Sequence, residues 1–255
     1  MRQALSLLRR GVRFISRLPG NFTNGLRFRV LFIRERWFRT PTRIRVAGRD
    51  VRLRFLEEEG VRDDFVDCFI RNTYGLGHGL PAVSTILDIG ANVGFFSLAA
   101  REYYPHATIH AYEPNPRIVT LLSSNIDGLR VQGYPEAVGG RSGSIVMIDE
   151  GASNAAQTRW SESADSGIRQ ISLHTAIERM GGSVDLLKLD CEGAEWEMFQ
   201  LDYCWKQVRH IRMEVHLFRG ETVEQAKEAL ERLGFRIIHW GAQYELNGTI
   251  WASRA

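Results

Sequence analysis

Two short strings concentrate ionisable side chains: "KLDCEGAE" carries Lys188, Asp190 and Glu192, and "MEVH" carries Glu214 and His216. Burying so many charges is costly unless they have a task. A histidine with an acid beside it titrates near neutrality and can take a proton from a hydroxyl. Glu214 and His216 are alternate residues, so in a strand they face the same side. His216 or Asp190 is therefore the candidate base, with Lys188 and Glu192 as positioning groups. The plainer alternative is structural: Lys188 neutralises Asp190, and Glu192 or Glu195 serves the N-terminus of the next helix. A divalent ion is chemically open to Asp190, Glu192, Glu214 and His216, but no spacing demands one and none is assigned.

A second string, "TILDIGANVGFF" from Thr85 to Phe96, joins a buried apolar strand to a helix through Gly90 and Gly94. Such a turn brings backbone N–H groups against a ligand. It is neither G-x-G-x-x-G nor a phosphate loop ending in G-K-[ST]. Glu113 ends the next strand, where a carboxylate can clasp ribose hydroxyls. Asp88, at the mouth of the first strand, would repel a pyrophosphate and suits a ligand carrying an ammonium group. S-adenosylmethionine (SAM) has an amine and a sulfonium and no phosphate, so the acid favours SAM over NAD.

The elements that must position these groups alternate along the chain. A hairpin is expected near Ile44–Ala47 and Val51–Phe55, then a helix ending before Gly75. Strands Thr85–Ile89, Thr108–Glu113, Leu129–Tyr134, Val184–Asp190 and His210–His216 alternate with helices. "AVGGRSGSIVMID" holds a further short strand, and Ser172 caps a helix stopped at Gly181–Gly182. "GFRIIHW" and "GTIWAS" are joined too closely for a crossover helix and should form an antiparallel hairpin. The pattern predicts an α/β fold: a doubly wound, mostly parallel sheet with helices on both faces.

"LDIGANVGFFSL", "AYEPNP", "LLKLDCEGAEWEMF" and "MEVH" together resemble the FkbM family of SAM-dependent methyltransferases over roughly residues 51–255. The K-x-D-x-E-G-x-E string is the most specific part. The resemblance implies a Rossmann-like seven-stranded sheet with the last pair antiparallel, and methyl transfer to hydroxyls of sugars or secondary metabolites. It further implies that Asp88, Gly90, Asn92, Gly94 and Glu113 are SAM-binding positions, with Glu136 near the adenine.

The net charge of +3 is unevenly spread: residues 1–45 hold twelve arginines and one acid, Glu35, so the remainder carries −8. Residues 1–18 are too short and too charged to span a bilayer and lack a secretory cleavage site. On a helical wheel Ala4, Leu5, Leu8, Val12 and Ile15 oppose a row of arginines, a pattern that suits an anionic membrane surface, a partner, or packing on its own domain. No nucleic-acid-binding pattern accompanies it. The expected organisation is a basic segment over 1–42 and a methyltransferase domain over 43–255. Three cysteines without paired spacing suit reduced thiols in the cytoplasm, with peripheral membrane contact through residues 1–20. The polar stretch Glu150–Gly167, with Trp160, either folds over the acceptor or is an ordinary surface loop.

The leading reading is O-methyl transfer to a hydroxyl of a glycan, glycolipid or related metabolite. An NAD(P)-dependent oxidoreductase is disfavoured by Asp88, the missing third glycine and the lack of a Tyr-x-x-x-Lys pair. A non-enzymatic Rossmann-like scaffold, docked through its arginines, has no need of the loop, Glu113 and the charged strand ends together.

Overall fold

A computed structural model describes residues 20–32, 38–80, 82–148, 157–160, 167–244 and 247–254. The expected amphipathic helix over 1–18 lies outside them, as does most of Glu150–Gly167. A short helix, α1 (20–27), leads to a small antiparallel pair, β1 (Arg43–Val46) and β2 (Arg49–Arg52). Phe28, Val30 and Phe32 pack in one core with Phe65 and Phe69. The chain therefore joins the main fold well before residue 43, because the arginine-rich segment also carries large apolar residues that need cover.

The central sheet contains β3 (Thr85–Ile89), β4 (Thr108–Tyr112), β5 (Val131–Tyr134), β10 (Val184–Leu189), β11 (Val208–His216), β12 (Arg236–Tyr244) and β13 (Asn247–Ser253). Their order is β12-β13-β11-β10-β3-β4-β5. The five strands from β5 to β11 run parallel. The closing hairpin forms as expected, and β13 inserts between β12 and β11, antiparallel to both. Alternation sends Ile86, Ile109 and Leu186 into one core and Leu87, Tyr112 and Leu187 into the other. That two-sided burial explains why the parallel strands read as apolar runs.

The helices that aim the site are α2 (Glu59–Phe65), α3 (Phe95–Tyr103), α4 (Pro116–Ile126), α5 (Leu173–Arg179), α6 (Glu195–Met198) and α7 (Val223–Arg232). Asn115 caps α4 by accepting from the Arg117 N–H, with Pro116 at the first helical position. Ser172 caps α5 as its type predicts, and Thr222 and Gln225 form a capping box on α7. The helix expected before Gly75 is broken in kind: α2 passes into a π-helical turn, Val66–Arg71, which ends at Asn72 in left-handed conformation.

A four-stranded side sheet was not expected. It has the order β6-β9-β7-β8, from β6 (Ala137–Gly139), β7 (Gly143–Ile148), β8 (Gln157–Trp160) and β9 (Ile168–Ser172). The polar stretch read as a loop thus contains strand β8, an edge strand with too few apolar residues to register as one.

Candidate active site

A cavity of about 330 Å³ opens where β3, β4, β10 and β11 end, within the range of small-molecule sites. Gly90, Asn92, Glu113, Lys188, Asp190, Glu192, Glu214 and His216 all line it. Gly90 is required by geometry: its φ is +75°, and a Cβ there would stand 1.7 Å from the Asp190 carbonyl oxygen. Gly94 (φ +90°) caps α3 and packs against Leu122 rather than lining the cavity.

The N–H groups of this loop are not left free as expected. Those of Gly90 and Ala91 donate to the Tyr112 carbonyl at 3.1 and 2.9 Å. That of Asn92 donates to Glu113 Oε2 at 2.9 Å. The other Glu113 oxygen accepts from the Asn115 N–H at 2.8 Å. Burial pushes the Glu113 carboxyl up to about 7 against the pull of these two donors. Asn92, at φ +47°, donates Nδ2 to Asp64 at 3.0 Å, while its Oδ1 is buried without a partner among the described residues.

Asp88 does not face the cavity. It is wholly buried beneath the loop, where Ser97 Oγ donates to it at 2.6 Å and Lys188 Nζ lies 3.4 Å away. Its charge is met by Lys188, so direct pairing with a ligand's ammonium is not the arrangement found. Register explains this, since Lys188 and Asp88 are direct neighbours across β10 and β3. Lys188 also lies 3.5 Å from Asp190 and donates to the Gly90 carbonyl. Burial works to lower its pKa, but Asp190 and Asp88 raise it. Glu136 is likewise absent from the cavity lining: Arg179 and Arg169 hold its carboxylate.

The remaining residues converge. His216 is 5% exposed, and its Nε2 lies 3.5 Å from Glu192 and 3.9 Å from Asp190. Its Nδ1 is 3.0 Å from Glu195 Oε1. Burial works to lower the imidazole pKa, yet the hydrogen bond and charge of Glu195, then Glu192 and Asp190, raise it to about 10. Burial pushes Glu192 up to about 8. Burial works to raise Asp190, but Lys188 and His216 hold it below the usual range.

Sequence reasoning missed four partners. Tyr74 donates its hydroxyl to Asp190 Oδ2 at 2.9 Å. Asp64 lines the cavity from α2, its pKa raised to about 8 by burial. Glu195, read as an acid for a helix start, does open α6 and accepts the Cys191 N–H, and it also stands behind His216. Phe218 stacks on His216 at 5.2 Å and is 41% exposed. Only the placement of Phe218, two residues past the histidine, left a local signal.

Strand order and a glycine-turned cavity at the strand ends define the Rossmann-like class of SAM-dependent methyltransferases. Residues 88–237 match the methyltransferase FkbM domain, and the chain belongs to that family. It is 27% identical to methyltransferase sdnD of Sordaria araneosa over 219 residues, covering 71% of this chain and 84% of that one. It is 26% identical to the 31-O-demethyl-FK506 methyltransferase FkbM of Streptomyces tacrolimicus, covering 69% and 81%. Among solved structures, the magnesium protoporphyrin IX methyltransferase of Synechocystis PCC 6803 with bound SAM aligns with a TM-score of 0.48 at 12% identity, over 79% of this chain and 87% of that one.

The residues present fit SAM. Asn92 Oδ1 is a buried acceptor awaiting a donor, Glu113 keeps lone pairs beyond its two N–H contacts, and the acidic lining favours a cationic ligand.

Proposed function

We propose that this enzyme methylates a hydroxyl of a glycan, glycolipid or related metabolite. The observation that carries the reading is the Asp190–Glu192–His216 cluster, backed by Glu195, on the same cavity as Asn92 and Glu113. SAM bound there would supply its sulfonium methyl to the acceptor oxygen, with the thioether as leaving group. Glu113 and Asn92 would hold its nucleoside, with Gly90 permitting the close turn. Lys188 fixes Asp88 and Asp190 and so sets the angle of the loop. The cluster orients the acceptor hydroxyl and lowers the cost of losing its proton. Phe218 offers an apolar face on which a sugar ring or a hydrophobic acceptor can rest. The O-methyl transfer named for the Streptomyces relative supports a hydroxyl acceptor.

Calorimetric titration with SAM, followed by product analysis on hydroxylated acceptors, tests this. Saturable SAM binding and an alkali-stable methyl ether are expected. A folded protein that does not bind SAM would overturn the reading.

We infer that the enzyme also works against an anionic membrane. Helix α1 leaves Phe22 and Leu26 exposed four residues apart, Leu31 is exposed, and Arg27, Arg29, Arg43, Arg49, Arg52 and Arg54 are exposed along the N-terminal part of the chain. No described helix is long and apolar enough to cross a membrane. The full chain should co-sediment with anionic vesicles and lose this when residues 1–20 are removed and Phe22→Asp and Leu26→Asp are introduced; pelleting unchanged by both removes the idea.

A further inference from the structure

The cavity cluster has a geometry that a proton relay alone does not need. Asp190, Glu192 and His216 each offer one ligand atom within 4.8 Å of the others. Each of the two best-held ligands has its second polar atom anchored elsewhere. His216 Nδ1 is taken by Glu195, and Asp190 Oδ2 by the Tyr74 hydroxyl. Nε2 and Oδ1 are thereby turned inward. Outer contacts of this kind, a carboxylate on the far nitrogen of an imidazole above all, orient metal ligands.

His216 is 95% buried, by its 5% exposure, and among the described residues no hydrogen bond reaches its Nε2. The Glu192 and Asp190 oxygens, at 3.5 and 3.9 Å, are too far for one. They are close to the separation of roughly 3 Å or more that neighbouring ligands take around a small divalent ion with bonds of about 2.1 Å. Charge points the same way. Asp190, Glu192 and Glu214 line this cavity, and among the described residues Lys188 is the one lysine or arginine that pairs with any of them, while also serving Asp88. Without an ion, Lys188 and the His216 imidazole are the cations these carboxylates meet; a divalent ion would displace the imidazole's Nε2 proton and add charge where it is short.

We propose that Asp190 Oδ1, a Glu192 oxygen and His216 Nε2 bind a divalent cation of the Mg²⁺/Mn²⁺ class, with the imidazole favouring Mn²⁺. The inference rests on the methyltransferase reading only for its role: it makes the cluster a ligand set rather than leaving His216 as the group that takes the proton. A dication there acidifies a hydroxyl that reaches its open positions. The O–H proton leaves to bulk water, the oxygen lone pair forms the O–CH₃ bond, and the S–CH₃ electron pair stays on sulfur.

The test is Mn²⁺ titration of the chelator-stripped full chain, followed by electron paramagnetic resonance, with SAM calorimetry on the same samples. One Mn²⁺ per chain is expected, with Mg²⁺ competing. Nitrogen hyperfine coupling from the imidazole should vanish in His216→Gln. Glu192→Gln and Asp190→Asn should each weaken Mn²⁺ at least tenfold, while SAM binding reports that the variants remain folded. Absence of saturable Mn²⁺ binding in protein that binds SAM overturns the ion site, as does unchanged affinity in both variants. Site-specific Mn²⁺ binding without SAM binding upholds the ion site and overturns the methyltransferase role instead.

Discussion

Glu113 and Glu195 show how single carboxylates divide the work of one cavity. Glu113 already accepts the N–H groups of Asn92 and Asn115, so the loop geometry and the proposed ribose contact rest on one side chain. Glu113→Ala should weaken SAM by about 10- to 100-fold, the worth of one or two hydrogen bonds to a charged group, as read by calorimetry. Glu195 is fully buried and meets His216 Nδ1. Its charge and hydrogen bond are the leading causes that lift His216 to about 10. Glu195→Gln should bring the imidazole of the metal-free protein down toward the ordinary 6.5, followed by proton NMR. An unmoved titration would show that Glu192 and Asp190 suffice.

At the scale of elements, the turn between β3 and α3 is set by contact as well as by φ. Gly90→Ala places a methyl 1.7 Å from the Asp190 carbonyl oxygen, so β3 and β10 must part. The expected loss is about 3 kcal/mol or more, with SAM binding lost too. Gly181, also at positive φ (+97°) but with open space around its Cβ position, isolates the backbone cost alone. Gly181→Ala should cost only about 1 kcal/mol, or a few degrees in Tm. Should the two variants melt alike, the close approach at Gly90 would carry no weight.

For the whole molecule, the acidic cavity links stability to pH. Asp64 and Glu113 titrate near 8 and 7 in the fold, against ordinary values of 3.8 and 4.5. Between about pH 5 and 8 the folded chain therefore holds protons that the unfolded chain has lost. The stabilisation is fully present below about pH 4 and is lost as pH rises through 7 to 8. Thermal melts should show Tm falling by several degrees from pH 5.5 to 8, and Asp64→Asn should flatten the slope. A slope unchanged by that substitution would place the titration elsewhere.

Sequence alone determined the α/β alternation, because two-faced burial leaves parallel strands as unbroken apolar runs. It also determined β3 to the residue and the antiparallel closing pair. The crowding of Lys188, Asp190, Glu192, Glu214 and His216 was legible for the same reason: strand ends and alternate positions are local properties. Tertiary structure decided what each charge meets. Asp88 turned inward to Lys188 because of cross-strand register, and Glu136 was drawn to Arg179 and Arg169. Asp64 and Tyr74 reached the cavity, and Glu195 reached the back of His216, through packing between separate segments of the chain, and no local pattern encodes such contacts.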